Sequence, residues 1–284
     1  MNVAFEEVAA EVYVLRYPVL DVNVTLIVGD EQALVVDTLS TEAQGRELLT
    51  AVRRITTAPL VVVNTHHHYD HCFGNGVLAL AGAPIWAHTE AAAALRDFGA
   101  ALQRQWHDEL APGRPQLAEG VAAVAITVPD RLVQAEATLD VGGRPVVLRH
   151  LGRGHTAGDL VVLVPDADTV MTGDLVEEGA PPQFDDAYPL DWPETLAALV
   201  PVLSPATRIV PGHGAVVDPA FLRLQHEELT ALAWLIRAGH ADRAPASAVA
   251  AKVAYEPATA LVAVTRGYAE LDGRTDSAEP DRRS

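Results

Sequence analysis

Between His66 and His71 the chain reads His-His-His-Tyr-Asp-His, so four potential metal ligands fall within six residues in the pattern His66-x-His68-x-Asp70-His71. Imidazole and carboxylate together suit zinc or another borderline divalent ion. A catalytic ion with one open position needs only three protein ligands, so the segment offers a surplus. In an extended stretch, residues two apart face the same way, and His66 and His68 can then grip one ion from one side. Asp70 and His71 are adjacent and diverge unless the chain turns. A turn would aim them at a second ion nearby, the arrangement of two-metal hydrolytic sites. The bland alternative is a polar, histidine-rich surface loop with no ligand role.

Three later segments each set one more candidate beside glycine at the edge of a short apolar run. His155, within Gly154-His155-Thr156-Ala157-Gly158-Asp159, leads into Leu160 to Val164; Asp174 closes the run from Thr169 to Met171; and His213, in Pro211-Gly212-His213-Gly214, closes Arg208 to Val210. The first cluster likewise follows Leu60-Val61-Val62-Val63. Glycine at these edges lets the backbone turn sharply and approach an ion closely. Four strand edges thereby supply seven candidate ligands: His66, His68, Asp70, His71, His155, Asp174 and His213.

Taken in this order, the four segments resemble the signature of the metallo-β-lactamase-fold hydrolase superfamily, over a span from about Val8 to the helix after His213. Asp37, which closes the run Val35-Val36, fits the same pattern. The resemblance implies an α/β fold, a four-layer αββα sandwich of two mixed β-sheets flanked by helices. It implies a first metal site of His66, His68 and His155, a second of Asp70, His71 and His213, and Asp174 as a carboxylate bridging both. The cofactors would be two divalent metal ions, zinc first, with iron or manganese also compatible. Two neighbouring cations lower the pKa of a water to near neutrality and polarise a carbonyl, which points to cleavage of a carboxylic ester, thioester, lactone or lactam. Asp70 would also orient the nucleophile. Asp37 is a candidate hydrogen-bond partner for a ligating imidazole, while His67 and Tyr69 are expected to pack or to support the ligands.

Departures from particular branches narrow this reading. Antibiotic-hydrolysing members usually lack the bridging aspartate and are exported, whereas this chain has Asp174 and shows no basic or apolar leader in Met1 to Glu7. Hydroxyacylglutathione hydrolases usually follow the last histidine with Glu-Tyr, where Gly214-Ala215 stands here. The flavodiiron branch has glutamate at the place of His68. The main alternative is a persulfide dioxygenase-like enzyme holding one iron through His66, His155 and Asp174, and the least favoured is a non-catalytic binding protein that keeps the fold.

The elements that must position these residues follow from periodicity. Strands are expected at Val12 to Leu15, Val22 to Val28, Ala33 to Val36 and near Pro84 to Ala87. Helices are expected from about Thr41 to Arg54, Thr89 (capped by its own threonine) to Gln105, Trp192 to Leu203 and Pro219 to Ile236. Arg131 to Val141 and Arg144 to Leu151 read as a hairpin around Gly142-Gly143 that delivers His155. The stretch from Thr89 through Pro112 and Pro115 is expected to cover one wall of the site. Glu177 to Trp192 is too proline-rich for a helix or central strand and must lie near the metals; its Phe184 and Tyr188 are candidates to line the substrate pocket, with Trp192 packed at a helix start.

With 284 residues, 49% of them hydrophobic, the chain can bury a sizeable core. It reads as one domain over 1–272, C-terminal helices included, with a charged tail, 273–284, expected to be disordered. Against 38 Asp+Glu stand 20 Lys+Arg, a net charge of -18. That repels phosphate backbones and anionic membranes, so the expected partner is a small-molecule substrate rather than nucleic acid or a membrane. No apolar stretch reaches transmembrane length. The single cysteine, Cys72, cannot form an intramolecular disulfide, and a reducing cytoplasm is the expected location. Oligomeric state is not legible.

Overall fold

The computed structural model describes residues 4–274, and the expected tail lies beyond them apart from Gly273 and Arg274. Twelve strands are found among the described residues: β1 (Glu6–Ala9), β2 (Val12–Tyr17), β3 (Val22–Val28), β4 (Ala33–Val36), β5 (Leu60–Val63), β6 (Ile85–His88), β7 (Arg131–Val133), β8 (Glu136–Val141), β9 (Arg144–Arg149), β10 (Val161–Val164), β11 (Thr169–Glu177) and β12 (Arg208–His213). The helices are α1 (Glu42–Val52), α2 (Tyr69–Cys72), α3 (Asn75–Leu80), α4 (Thr89–Leu110), α5 (Pro115–Ala122), α6 (Trp192–Leu199), α7 (Pro219–Ala241), α8 (Ala246–Ala250) and α9 (Pro257–Leu271).

The strands join in the order β7-β6-β5-β4-β3-β12-β11-β10-β9-β8, with β2 and then β1 also beside β3. In the N-terminal half, β4 to β7 run parallel. In the C-terminal half only β11 and β12 are parallel; β8, β9, β10 and β11 alternate in direction. In the sheet the halves meet along a narrow seam, where the β12–β3 ladder pairs only His213 with Val22 and Asn23 Nδ2 donates to the Pro211 and Gly214 carbonyls.

Strand alternation sends neighbouring residues to different cores. Leu26, Val35 and Val62 pack with Leu48 and Leu78 under α1 and α3. Their chain neighbours Ile27, Leu34 and Val63 join Leu148, Val162 and Val210 in a central core shared by both halves. Ile209 and Val170 turn instead to Leu196, Leu229 and Val264 under α6, α7 and α9. Burial on both faces is why strands such as Leu60–Val63 are uniformly apolar rather than alternating.

Most expected elements appear where periodicity places them, with four differences. The run Arg131 to Val141 is split: Arg131–Val133 adds parallel to β6, and only Glu136–Val141 pairs with β9. The hairpin turn itself has both glycines at positive φ, 57° and 85°, as a two-residue turn of this twist requires. The helix from Trp192 stops at Leu199 and tightens into a 3-10 turn over Val200–Val202, because Pro201 has no N–H to donate. Asp174 does not end its strand; β11 continues to Glu177, with register irregularities between Met171 and Gly173 and between Gly173 and Glu177. Finally, α4 is capped by His88 rather than Thr89, the His88 side chain accepting from the Glu90 N–H at 3.3 Å.

That cap makes a pH prediction. His88 is buried, stacked on His150 with centroids 3.9 Å apart, and its Nε2 donates to the Gln134 carbonyl at 3.0 Å. The neutral ring thus uses both nitrogens, and a proton on Nδ1 would break the cap and set positive charge at the positive end of the helix. Burial, then His150, lowers its pKa from 6.5 to about 4. The unfolded chain takes up this proton below about pH 6.5 while the folded chain resists to about pH 4, so stability is lost as pH falls through that window. After discounting for solvent screening the loss is on the order of 1–2 kcal/mol. Thermal melts across this range should show His88→Gln, which can still donate and accept, with a shallower acid slope than the wild type; equal slopes would refute the assignment.

Candidate metal centre

The first ligand segment leaves β5 at Val63 and is fixed by buried amides. Asn75 Nδ2 donates to Asn64 Oδ1 at 2.8 Å, Asn64 Nδ2 donates to Asn75 Oδ1 at 3.0 Å, and Thr38 N–H donates to the His71 carbonyl at 2.8 Å. The chain then turns through α2, the turn that Asp70 and His71 needed in order to converge on one place. His155 enters from the Gly154 to Gly158 turn, where Thr156 N–H and Oγ1 both donate to Asp159. Asp174 comes from the interior of β11 and His213 from the end of β12.

All seven sequence-derived candidates converge. The ligating atoms of His66, His68, His155 and Asp174 lie within 4.8 Å of one another, as do those of Asp70, His71 and His213. His155 Nε2 is 2.9 Å from His68 Nδ1, and His71 Nε2 is 3.3 Å from His213 Nε2. Asp174 lies between the groups: Oδ2 is 3.4 Å from His155 Nε2 and 3.4 Å from His213 Nε2, while Oδ1 is 3.2 Å from His71 Nε2. Gly212 makes room for it, since a Cβ there would fall 1.7 Å from Asp174 Oδ1.

The donor set suits a divalent cation. His66 Nε2 is buried, aimed into the group, and finds no hydrogen-bond partner among the described residues. Burial, then neighbouring imidazoles, keeps His66 well below the usual histidine pKa, and burial takes His155 down to about 4. Burial also opposes charge on His71 and His213, but Asp174 and Asp70 outweigh it, raising His71 well above the ordinary value and His213 to about 10. Burial at His68 is likewise outweighed by Asp186, which raises it to about 9, so buried carboxylates favour protons on three imidazoles that cations would displace.

A family model described as the metallo-beta-lactamase superfamily matches residues 17–213, from β2 through the last of these histidines. The chain belongs to this superfamily. Within it, the chain is 24% identical over 168 residues to the probable metallo-hydrolase YqgX of Bacillus subtilis (strain 168), covering 58% of this chain and 71% of that protein. It is 22% identical over 196 residues to the metallo-beta-lactamase type 2 of Bacteroides fragilis, covering 68% of each. Among solved structures, a metallo-beta-lactamase from Pontibacter korlensis superposes with a TM-score of 0.63 at 22% identity over 80% of this chain and 99% of that one. The DIM-1 metallo-beta-lactamase gives 0.65 at 18% identity over 81% and 98%. The protein is accordingly a metallo-hydrolase with the mixed sheet and flanking helices of this fold.

As in other metal proteins, the distal ring nitrogens decide how the superfamily histidines point. The tautomers here are assigned from the hydrogen-bond network. His71 Nδ1 donates to Asp37 Oδ2 at 2.8 Å, so the expected hydrogen bond between Asp37 and an imidazole of the candidate centre is present. Asp37 also accepts from Thr65 N–H and Thr65 Oγ1, each at 2.8 Å, and Thr65 Oγ1 in turn meets His66 Nδ1 at 3.0 Å. His213 Nδ1 donates to the Leu20 carbonyl at 2.8 Å. One wall is formed by α4, whose Trp106 packs edge-on to His68 and against Tyr69 and Phe73. No helix of the described residues is long and apolar enough to cross a membrane.

The loop after β11 differs from expectation. Phe184 is only 1% exposed and lies in the core against Trp192 and Tyr255, so it lines no open pocket. Tyr188 is also buried; the guanidinium of Arg153 sits 4.3 Å from its ring centroid and that of Arg266 at 5.9 Å, and its N–H donates to the Gly154 carbonyl. Trp192 starts α6 as expected and donates from Nε1 to the Leu175 carbonyl. Two acids that the sequence reading passed over are the ones that face the histidines. Asp186 contacts both His67 and His68, and buried Glu177 lies 3.8 Å from His155 Nδ1. The available signal was chemical rather than positional: ligating imidazoles need acceptors for their second N–H, and this loop holds carboxylates.

Proposed function

We propose that the protein is a two-metal acyl hydrolase that cleaves a carboxylic ester, thioester, lactone or lactam, with His66, His68 and His155 holding one ion and Asp70, His71 and His213 the other. The observation that carries this is the placement of Asp174, whose two oxygens face both groups. When bound, the ions, most simply Zn2+ with iron or manganese as other fits, supply a hydroxide nucleophile and polarise the acyl carbonyl. Asp70 would orient the attacking group as well as ligate, a reading supported by its Oδ2 lying 3.4 Å from His213 Nε2. Asp37, Thr65 and the Leu20 carbonyl hold the imidazoles in the tautomers that ligation requires. Helix α4 shields one side of the site from water. The three stacked cores support a four-layer αββα sandwich, built as one domain through α9.

The gathered second group favours this reading over a one-iron dioxygenase, which would leave Asp70, His71 and His213 without a role. The test pairs metal analysis of the purified protein with turnover of generic ester, thioester, lactone and lactam substrates, before and after chelation. Two zinc ions per chain, activity on at least one acyl class and its loss on chelation are expected. One iron per chain with oxygen consumption on a glutathione persulfide would replace the proposal.

A further inference from the structure

His68 is turned differently from the other four histidines of the centre. His66, His71, His155 and His213 present Nε2 to the cluster, whereas His68 presents Nδ1, 2.9 Å from His155 Nε2. Its Nε2 faces outward to Asp186, at 3.1 Å from Oδ1 and 3.2 Å from Oδ2. The same carboxylate meets His67 Nε2 at 3.3 Å. Asp186 is carried not by a strand but by the segment between β11 and α6, which has little regular structure from Glu178 to Asp191. His68 itself is held on its other side by Trp106, 5.9 Å away between ring centroids. The ring is therefore fixed by one aromatic wall and one carboxylate.

We infer that Asp186 is a positioning residue for the metal centre: by accepting from His68 Nε2–H it fixes the tautomer and ring orientation that leave Nδ1 free to ligate, and through His67 it ties the loop to the ligand segment. This rests on the proposed metal centre. Carboxylate partners of ligating imidazoles raise ligand basicity and hold the ring, and their removal typically weakens metal binding by about 10- to 100-fold. The effect belongs to the group of His66, His68 and His155, because Asp186 touches no member of the Asp70, His71 and His213 group among its recorded contacts. The neighbouring Asp185 is exposed and makes no such contact among the described residues, which makes it an internal control.

Zn2+ titrations against a chromogenic chelator, run on full-length wild type, Asp186→Asn, Asp186→Ala and Asp185→Asn, separate the possibilities. Asp186→Asn keeps the shape but lacks the charge, so it serves even if the alanine variant folds poorly. The expected result is one dissociation constant raised about 10- to 100-fold in Asp186→Asn, the other within about threefold, and Asp185→Asn like wild type. Melting of the metal-free proteins gives the second readout. If Asp186→Asn melts lower without metal but binds Zn2+ as tightly as wild type at both positions, the residue only braces the loop and the inference is overturned. If wild type takes up no Zn2+, the metal-centre reading fails and takes this inference with it.

Discussion

Replacing Asp174 with alanine is expected to abolish turnover and to strip the protein of metal in the same step. Its carboxylate faces both ligand clusters, so neither proposed position would keep its full donor set. Because even partners that do not touch a metal contribute about 10- to 100-fold to affinity, loss of a shared ligand should weaken uptake by at least about 100-fold. The metal-free variant offers a second readout. Asp174 heads the charges that raise His71 and His213, so both imidazoles should titrate at lower pH once it is gone, visible by NMR of the ring protons. Full metal content together with wild-type turnover in Asp174→Ala would sink the assignment, and His66→Ala serves as the parallel test of the first group.

A comparably large effect is expected from Gly212→Ala, a change of one methyl group. The new Cβ would fall 1.7 Å from Asp174 Oδ1 and 2.9 Å from the Asp174 backbone nitrogen. The carboxylate must swing away or β12 must separate from β11, and overpacking of this kind destabilises by about 1–3 kcal/mol, occasionally more. Here the displaced group is also the proposed bridging ligand, so metal content should fall along with the melting temperature. Gly113→Ala, where nothing lies within 4 Å of the added Cβ, is the matched control and should melt like wild type. A Gly212→Ala protein with unchanged melting and metal stoichiometry would contradict the close packing of these strands.

The seven candidate ligands were legible because their information is local: short apolar runs, adjacent glycines and the residue types themselves. The same rules located β3 and β4 to the residue, while Asp37 was singled out by the family resemblance and by the need of a ligating imidazole for an acceptor. What stayed hidden depended on distant partners. Alternation marks Arg131 to Val141 as extended, but it cannot say that Arg131–Val133 pairs with β6 while Glu136–Val141 pairs with β9. Phe184 looked like a pocket residue because it lies on a loop near the metals, yet hydrophobic burial draws it between Trp192 and Tyr255. Asp186 had no spacing to betray it, since its meaning comes from His68, 118 residues earlier in the chain.

The narrow seam between the halves of the sheet has a kinetic meaning. His66 to His71 belong to one side and His155, Asp174 and His213 to the other, and the ladder between β3 and β12 pairs only Val22 with His213. Contacts so distant in sequence form late, after each half has found its own local pairings. The centre is therefore expected to mature late in folding. Zinc bound per chain, measured during refolding from denaturant, would count molecules that have completed the journey, while the signal from secondary structure would already have levelled off.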